Sequence, residues 1–369
     1  MLFPYTYVPH QMEKMQSFID FIFFEVWPKA LTEQYGIHLF AQKNALYQIM
    51  DELYRRDLAG TLRSGAGKWF YEAVNEIFNE FKKLNNAEID EYCQSYRANN
   101  LIETLCKNVP GSSPVRYSDL NSSKTDLNNR LSDFFKKLYS SGFFRLSFVK
   151  KALGSDLSTY YTDFIRANKP RCCPFCGLFP IDTEFDPTRE AFDHYLPKSK
   201  YPFNSVNLKN LAPSCNKCNS GNKKDKDPLH TKEGTRRKAF FPFSKVSADV
   251  QIRVDVINTN YTDPTPADLN ISISSPSHID EIQTWNDLFQ IEERYSARCC
   301  SASGGLYWRA RVLNECQNYD LSVQEMMDAE VKSAQSNPWS ESNFLKIAFL
   351  EGCHRAGLFH PVSTEESTP

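Results

Sequence analysis

The sequence predicts an α+β protein: a mostly helical N-terminal region, a small central fold organised by metal, and a C-terminal region of strands plus helices. Three observations predict it. Apolar residues recur at helical spacing through about the first 168 residues. Two C-x-x-C pairs then bracket a stretch with little periodicity. Beyond them, two short segments alternate apolar with polar residues before helical spacing returns. The 369 residues thus divide into 1–168, 169–245 and 246–362, with a tail, 363–369, whose Ser-Thr-Glu composition predicts disorder.

The first helical run carries Met12, Met15, Phe18/Ile19, Ile22/Phe23 and Val26 on one face. Leu46, Ile49/Met50 and Leu53 form a second stripe, and Phe70, Val74, Ile77/Phe78 and Phe81 a third. Pro110 to Pro114 breaks the pattern, and Asp119 to Asn121 offers a turn or helix start. Leu131, Phe134/Phe135 and Leu138 resume it, followed by Phe144, Phe148, Leu157, Tyr160/Tyr161 and Phe164. These aromatic stripes read as packing faces. Gly60 to Lys68 has the look of a phosphate loop, but Ala66-Gly67 interrupt it and Trp69 stands where a magnesium-binding hydroxyl is needed, so it reads as a loop between helices.

Helical spacing stops at Lys169-Pro170. After the cysteine-rich stretch, Val250, Ile252, Val254 and Val256 alternate as one strand, and Leu269, Ile271 and Ile273 as another. Ile279, Ile282, Trp285 and Leu288/Phe289 return to helical spacing, with further helices expected over 320–335 and Ser340–Gly352.

Composition bounds the function classes. Aromatics make up 14% of the chain and apolar residues 41%, which excludes a disordered polymer. The N-terminus lacks the pattern of a secretory leader, and Phe18–Trp27 is too short and too charged to span a bilayer, so the expectation is a soluble cytoplasmic protein with no membrane partner. The net charge of −2 hides a segregation: Asp193 to Lys238 holds 11 Lys/Arg against 4 Asp/Glu, on a chain that is otherwise acidic. A basic segment of this kind fits a polyanion.

Of the 11 cysteines, Cys173 and Cys176 form one pair and Cys215 and Cys218 another, with 38 residues between the pairs. Each pair can present two thiolates from a tight turn, and the two turns together supply a tetrahedral site for structural Zn²⁺. With all four positions filled by protein, no room remains for substrate. Cys172 adjoins the first pair without completing its spacing, and Cys299-Cys300 has the wrong spacing for such a site. Cys93, Cys106, Cys316 and Cys353 read as ordinary buried thiols.

Between and after the cysteines, Asp193-His194 sets a hard oxygen ligand beside an imidazole suited to activating water. Asn210 follows 16 residues later, and Asn219 stands directly after Cys218. A helix beginning near Cys215 would let Asn219 turn its amide oxygen toward Asp193. One acid and one amide oxygen make a partial shell for Mg²⁺. The lysines nearby can hold phosphates, Tyr195 and Tyr201 can stack on bases or pack beside the site, and His230 reads as surface.

The arrangement Asp193-His194, then Asn210-Leu211-Ala212-Pro213-Ser214-Cys215-Asn216-Lys217-Cys218-Asn219, then Lys223-Lys224, resembles the HNH endonucleases, the zinc-ribbon branch of the ββα-metal nucleases. The resemblance covers 170–230, about a sixth of the chain. It implies that His194 is the general base, that Asp193 and Asn219 bind one catalytic Mg²⁺ or Mn²⁺, and that Asn210 holds the His194 loop. It implies DNA as substrate and products bearing a 5′ phosphate. Two positions depart from the usual pattern. Ser214 replaces a commonly apolar residue, and Lys223 lies one residue late, which leaves the phosphate-binding role open between Lys223 and Lys224. Lys198, Lys200 and Lys217 complete the expected nucleic-acid-binding set.

Two other functions fit the same residues: a zinc-held module that grips nucleic acid without cutting it, and a ribonuclease. The long flanking regions resemble HNH effectors of bacterial antiphage systems, Septu-like or retron-linked. That implies an ATPase or other regulatory partner docked on the N-terminal region. A stand-alone restriction-type nuclease or a mobile-element enzyme are the alternatives.

Overall fold

The computed structural model describes residues 1–42, 44–259 and 261–359; the tail expected over 363–369 lies outside them. The chain is of the α+β class, with many helices and four short strands among the described residues. It forms two compact units. One is built from Pro4–Pro170 and Asp182–Lys245, the other from Met1–Phe3, Arg171–Ile181 and the chain from Val246 onward.

In the first unit, α1 (Lys14–Phe21) runs into a π-helical turn, Ile22–Val26. Then come α2 (Asn44–Leu58), α3 (Ala66–Phe81), α4 (Asn86–Asn100), α5 (Ile102–Cys106), α6 (Thr125–Ser140), α7 (Ser147–Leu153) and α8 (Leu157–Asn168). Most of the stripe residues read from sequence are buried, Phe23, Phe70, Phe78, Phe81, Phe135 and Phe164 being essentially inaccessible, as is Trp27, while Phe148 and Leu157 are only half-buried. Their rings interlock, Phe70 stacking on Phe143 at 3.8 Å and Phe23 on Tyr96 at 4.2 Å. Gly60 to Gly65 is a loop, and α3 starts directly after Gly65.

Helix α4 is not announced by aliphatic spacing, because its buried stripe is made of Ile89, Tyr92, Cys93 and Tyr96. A reciprocal cap starts it. Asn85 Oδ1 accepts from Glu88 N, and Glu88 Oε2 accepts from Asn85 N. Helix α8 is capped by Asp156, whose carboxylate accepts from the Ser158 and Thr159 amides, and it ends at Lys169 in the left-handed region before Pro170.

The rest of this unit carries the antiparallel pair β1 (Phe192–His194) and β2 (Leu211–Pro213), with His194 opposite Leu211. A π-helical segment, Lys217–Lys223, follows. Side-chain amides tie this part to α4. Asn99 Nδ2 donates to Pro202 O (3.0 Å), Asn100 Nδ2 to Phe203 O (3.2 Å), and Asn204 Nδ2 to Asn99 O (3.2 Å). Phe203, held at φ 83°, inserts its ring between Phe23 and Phe135. The helices are therefore a scaffold for the Asp193–Lys238 segment.

In the second unit, β3 (Gln251–Val256) pairs antiparallel with β4 (Leu269–Ser274), in the segments where alternation predicts them. Helices α9 (Ile279–Phe289), α10 (Ile291–Cys299), α11 (Gly305–Tyr319), α12 (Val323–Ser336) and α13 (Asn343–Arg355) follow. Gly352 lets α13 approach β3 closely, since a Cβ there would come within 2.3 Å of Val254 O. Cys299 and Cys353 are buried, whereas Cys316 is only half-buried on α11, which corrects its reading as a core thiol.

Candidate active site and metal centre

The C-x-x-C segments fold as tight turns. After Cys173, the amides of Cys176 and Gly177 both donate to Cys173 O (3.2 and 2.7 Å), and the Leu178 amide points at Cys176 Sγ (3.4 Å). Gly177 has φ 69°, and a Cβ there would meet Leu2 and Phe344 at 2.5 Å, so glycine is required. After Cys215, the amides of Cys218 and Asn219 donate to Cys215 O (2.9 and 3.0 Å). The four thiols are buried and lie within 4.8 Å of one another. Such a set could hold a metal ion such as zinc, whose bonds to sulfur of about 2.3 Å suit this spacing. Cys172 is buried beside them, outside this set.

The Asp193-His194 pair sits on β1. His194 Nε2 lies 2.9 Å from the Ser205 carbonyl, which can only accept, so Nε2 carries the proton and Nδ1 keeps its lone pair. Burial, with help from the Lys198 and Lys223 charges and against the bond to Ser205, holds the imidazole down to about 3. It is neutral at neutral pH. The Tyr139 ring stands perpendicular to the imidazole, with the ring centroids 4.7 Å apart. His194 lines a cleft of about 500 Å³ whose other walls include Tyr139 and Lys198.

Asp193 is 2% exposed. Its Oδ1 accepts from Lys223 Nζ at 2.9 Å, while Oδ2 is buried with no hydrogen-bond partner among the described residues. Burial pushes the carboxyl up, against the pull of Lys223. Lys223 corrects an expectation. Set among the phosphate-binding lysines, it is instead wholly buried, with its ammonium donating to Asp193 Oδ1 and to His194 O (2.9 Å), and it cannot reach a phosphate.

Asn210 is also fully buried. Its Oδ1 accepts from Leu196 N (2.7 Å), and its Nδ2 donates to Leu196 O (3.0 Å) and Asn204 Oδ1 (3.1 Å). It thereby closes the chain two residues beyond His194. Asn219 lies half-buried on the π-helical segment. Lys217 and Lys224 are exposed there, Lys200 is half-buried, and Lys198 Nζ donates to Lys136 O (3.2 Å).

Tyr195 and Tyr201 are buried and not available to stack on bases. His230 is not a free surface group: Tyr201 OH bonds Asp227 Oδ1 (2.6 Å) and lies 3.0 Å from His230 Nδ1. Sequence reasoning missed Tyr139 and the buried role of Lys223. Tyr139 carried no signal, since it is 55 positions from His194 and resembles any other aromatic on a helix.

The chain thus carries four clustered cysteines that could hold a metal ion, and buried Asp193, Asn210 and Lys223 around a half-buried His194. The chain is similar to protein ea31 of Escherichia phage lambda, 30% identical over 123 residues. The match spans 32% of this chain and 36% of the phage protein, about a third of each. No protein-family model and no solved structure matches the chain. Among the described residues, no helix is long and apolar enough to cross a membrane.

Proposed function

We propose that this chain is a metal-dependent endonuclease of the HNH type, with β1, β2 and the Lys217–Lys223 segment as its ββα-metal core and DNA as its substrate. One observation carries the proposal. A neutral imidazole with a bare Nδ1 stands next in sequence to a buried carboxylate oxygen, Asp193 Oδ2, that no donor satisfies. An unsatisfied buried carboxylate oxygen is costly, and a divalent cation would satisfy it.

Asp193 Oδ2 and the Asn219 amide oxygen would hold Mg²⁺ or Mn²⁺, and Cys173, Cys176, Cys215 and Cys218 a structural Zn²⁺. The bound divalent ion supplies charge neutralisation at the scissile phosphate and at the leaving oxygen. His194 Nδ1 takes a proton from the attacking water as its oxygen bonds to phosphorus. The P–O3′ bond breaks, the 3′ oxygen gains a proton from solvent, and a 5′ phosphate remains. The Nε2 bond to Ser205 O keeps the tautomer fixed during proton uptake, and Asn210 fixes the loop that follows His194. Lys223 ties the Asp193 carboxylate to the His194 carbonyl, so acid and base keep one geometry.

We place the enzyme among the effectors of bacterial antiphage defence, a role supported by its layout of long flanking regions around a small nuclease core. The test is plasmid cleavage by the purified chain with Mg²⁺, Mn²⁺ or chelator, beside His194→Ala. Metal-dependent nicking that His194→Ala abolishes is the expected result. Equal nicking by both proteins removes His194 as base, and RNA cut in preference to plasmid makes the enzyme a ribonuclease.

A further inference from the structure

We propose that Arg145 and Arg189 bind the phosphates that flank the scissile one, so that the helical N-terminal region forms a working wall of the cleft. From the nuclease reading this takes only the nature of the ligand, a nucleic-acid strand; the rest is geometry. The cleft around His194 is lined by four cationic side chains, Arg145, Lys150, Arg189 and Lys198, and by one carboxylate, Asp156. That carboxylate is committed, because Lys150 Nζ donates to Asp156 Oδ2 at 2.7 Å. Lys198 rests on the Lys136 carbonyl and beside the Tyr139 ring.

Arg145 and Arg189 are different. Both are exposed, and among the described residues neither meets a carboxylate. Arg189 lies near the Tyr161 and Phe192 rings, 6.0 and 5.5 Å from their centroids, and makes one long contact of 3.4 Å with the Glu190 carbonyl. Arg145 stands just after the left-handed turn at Gly142, with its guanidinium lying back over that turn. Arginines with structural roles here are tied down: Arg309 to the Leu358 carbonyl, Arg311 to Glu315 and Glu330. Both cleft guanidinium groups lie within electrostatic reach of Tyr139, the ring that touches His194. Two uncommitted planar forks beside a neutral imidazole match phosphate oxygens, which arginine binds in bidentate fashion.

The test measures binding apart from cleavage. His194→Ala protein is titrated with a fluorescent duplex and with a fluorescent single strand over a series of salt concentrations. Arg145→Gln/Arg189→Gln is compared in that background, with Arg63→Gln as an exposed control outside the cleft. Removing one phosphate-binding cation makes the log-log salt slope shallower by about 0.9 on duplex or 0.7 on single strand, so the double variant should flatten it by about 1.4–1.8. Arg145→Lys should keep most of the slope. An unchanged slope in the double variant, with the His194-intact chain still cutting plasmid, overturns the assignment and leaves the nuclease intact. A flattened slope with no cutting by the His194-intact chain supports the arginines and removes the nuclease. Absence of binding to either probe removes both.

Discussion

Asn210→Ala isolates the contact that fixes the chain beyond His194. In the native fold its amide satisfies both backbone groups of Leu196 and the side-chain oxygen of Asn204, all inaccessible to water. Alanine removes three partners at once and leaves Leu196 N–H and C=O unpaired. Each such orphaned group costs about 1–3 kcal/mol, so the variant should lose roughly 2–5 kcal/mol, with the gain in side-chain freedom offsetting only a small part. For a folding unit of this size that is a fall in melting temperature of about 5–15 °C. Asn210→Asp separates the two halves of the interaction. It keeps an acceptor for Leu196 N, loses the donation to Leu196 O, and adds an unpaired buried charge, so it should be at least as destabilised as the alanine variant. The assay is thermal and urea denaturation followed by circular dichroism, with plasmid cleavage measured well below the transition. A variant within about half a kilocalorie of the native chain, far below the cost of even one orphaned group, would show that Leu196 finds other partners and that Asn210 does not hold the loop.

Lys223→Met leaves the Asp193 carboxylate buried without its ammonium and should cost about 3–5 kcal/mol; Asp193→Asn added to it should recover part of that, and a Lys223→Met chain as stable as the native one refutes the buried pair. Elemental analysis should find about one zinc per chain, and prolonged chelation or Cys215→Ser should remove it with stability on the order of 10 kcal/mol at stake, so a metal-free chain that melts unchanged removes the structural site. Acid stability should depend on Asp156. Its carboxyl is pulled to about 2, first by the Lys150 hydrogen bond and then by the Thr159 amide, from an unfolded value near 3.9. Because the folded value is the lower, the stabilisation is complete above about pH 5 and is lost as pH falls through 4 towards 2, amounting to roughly 1–2 kcal/mol. Asp156→Asn, which can still cap α8, should flatten the denaturation profile in that window, lying below the native chain by about that amount near neutrality and converging with it as pH falls towards 2.

What could be read from the sequence and what could not divide along a physical line. The strands over 250–256 and 269–273, the stripes through Phe78 and Phe135, and the cysteine pairs are local patterns, in which residues a few positions apart share one face or one turn. The wall of the cleft is not local. Tyr139, Arg145 and Lys150 come to His194 through long-range contacts, among them Phe203 on Phe135 and the Asn99, Asn100 and Asn204 amides that tie the central segment to α4. The basic run illustrates the limit best. The excess of lysine and arginine between Asp193 and Lys238 surrounds His194 in sequence, yet of its cations only Lys198 lines the cleft, while Lys223 is buried in an ion pair. The remaining three cleft cations, Arg145, Lys150 and Arg189, lie outside that run. A charge reads the same in sequence whether it is neutralised or free. Its partner decides which, and for Lys223 that partner is 30 residues away. Charge segregation therefore points to a region of the chain, but which of its cations are free to meet a polyanion follows from the packing of the helices around it.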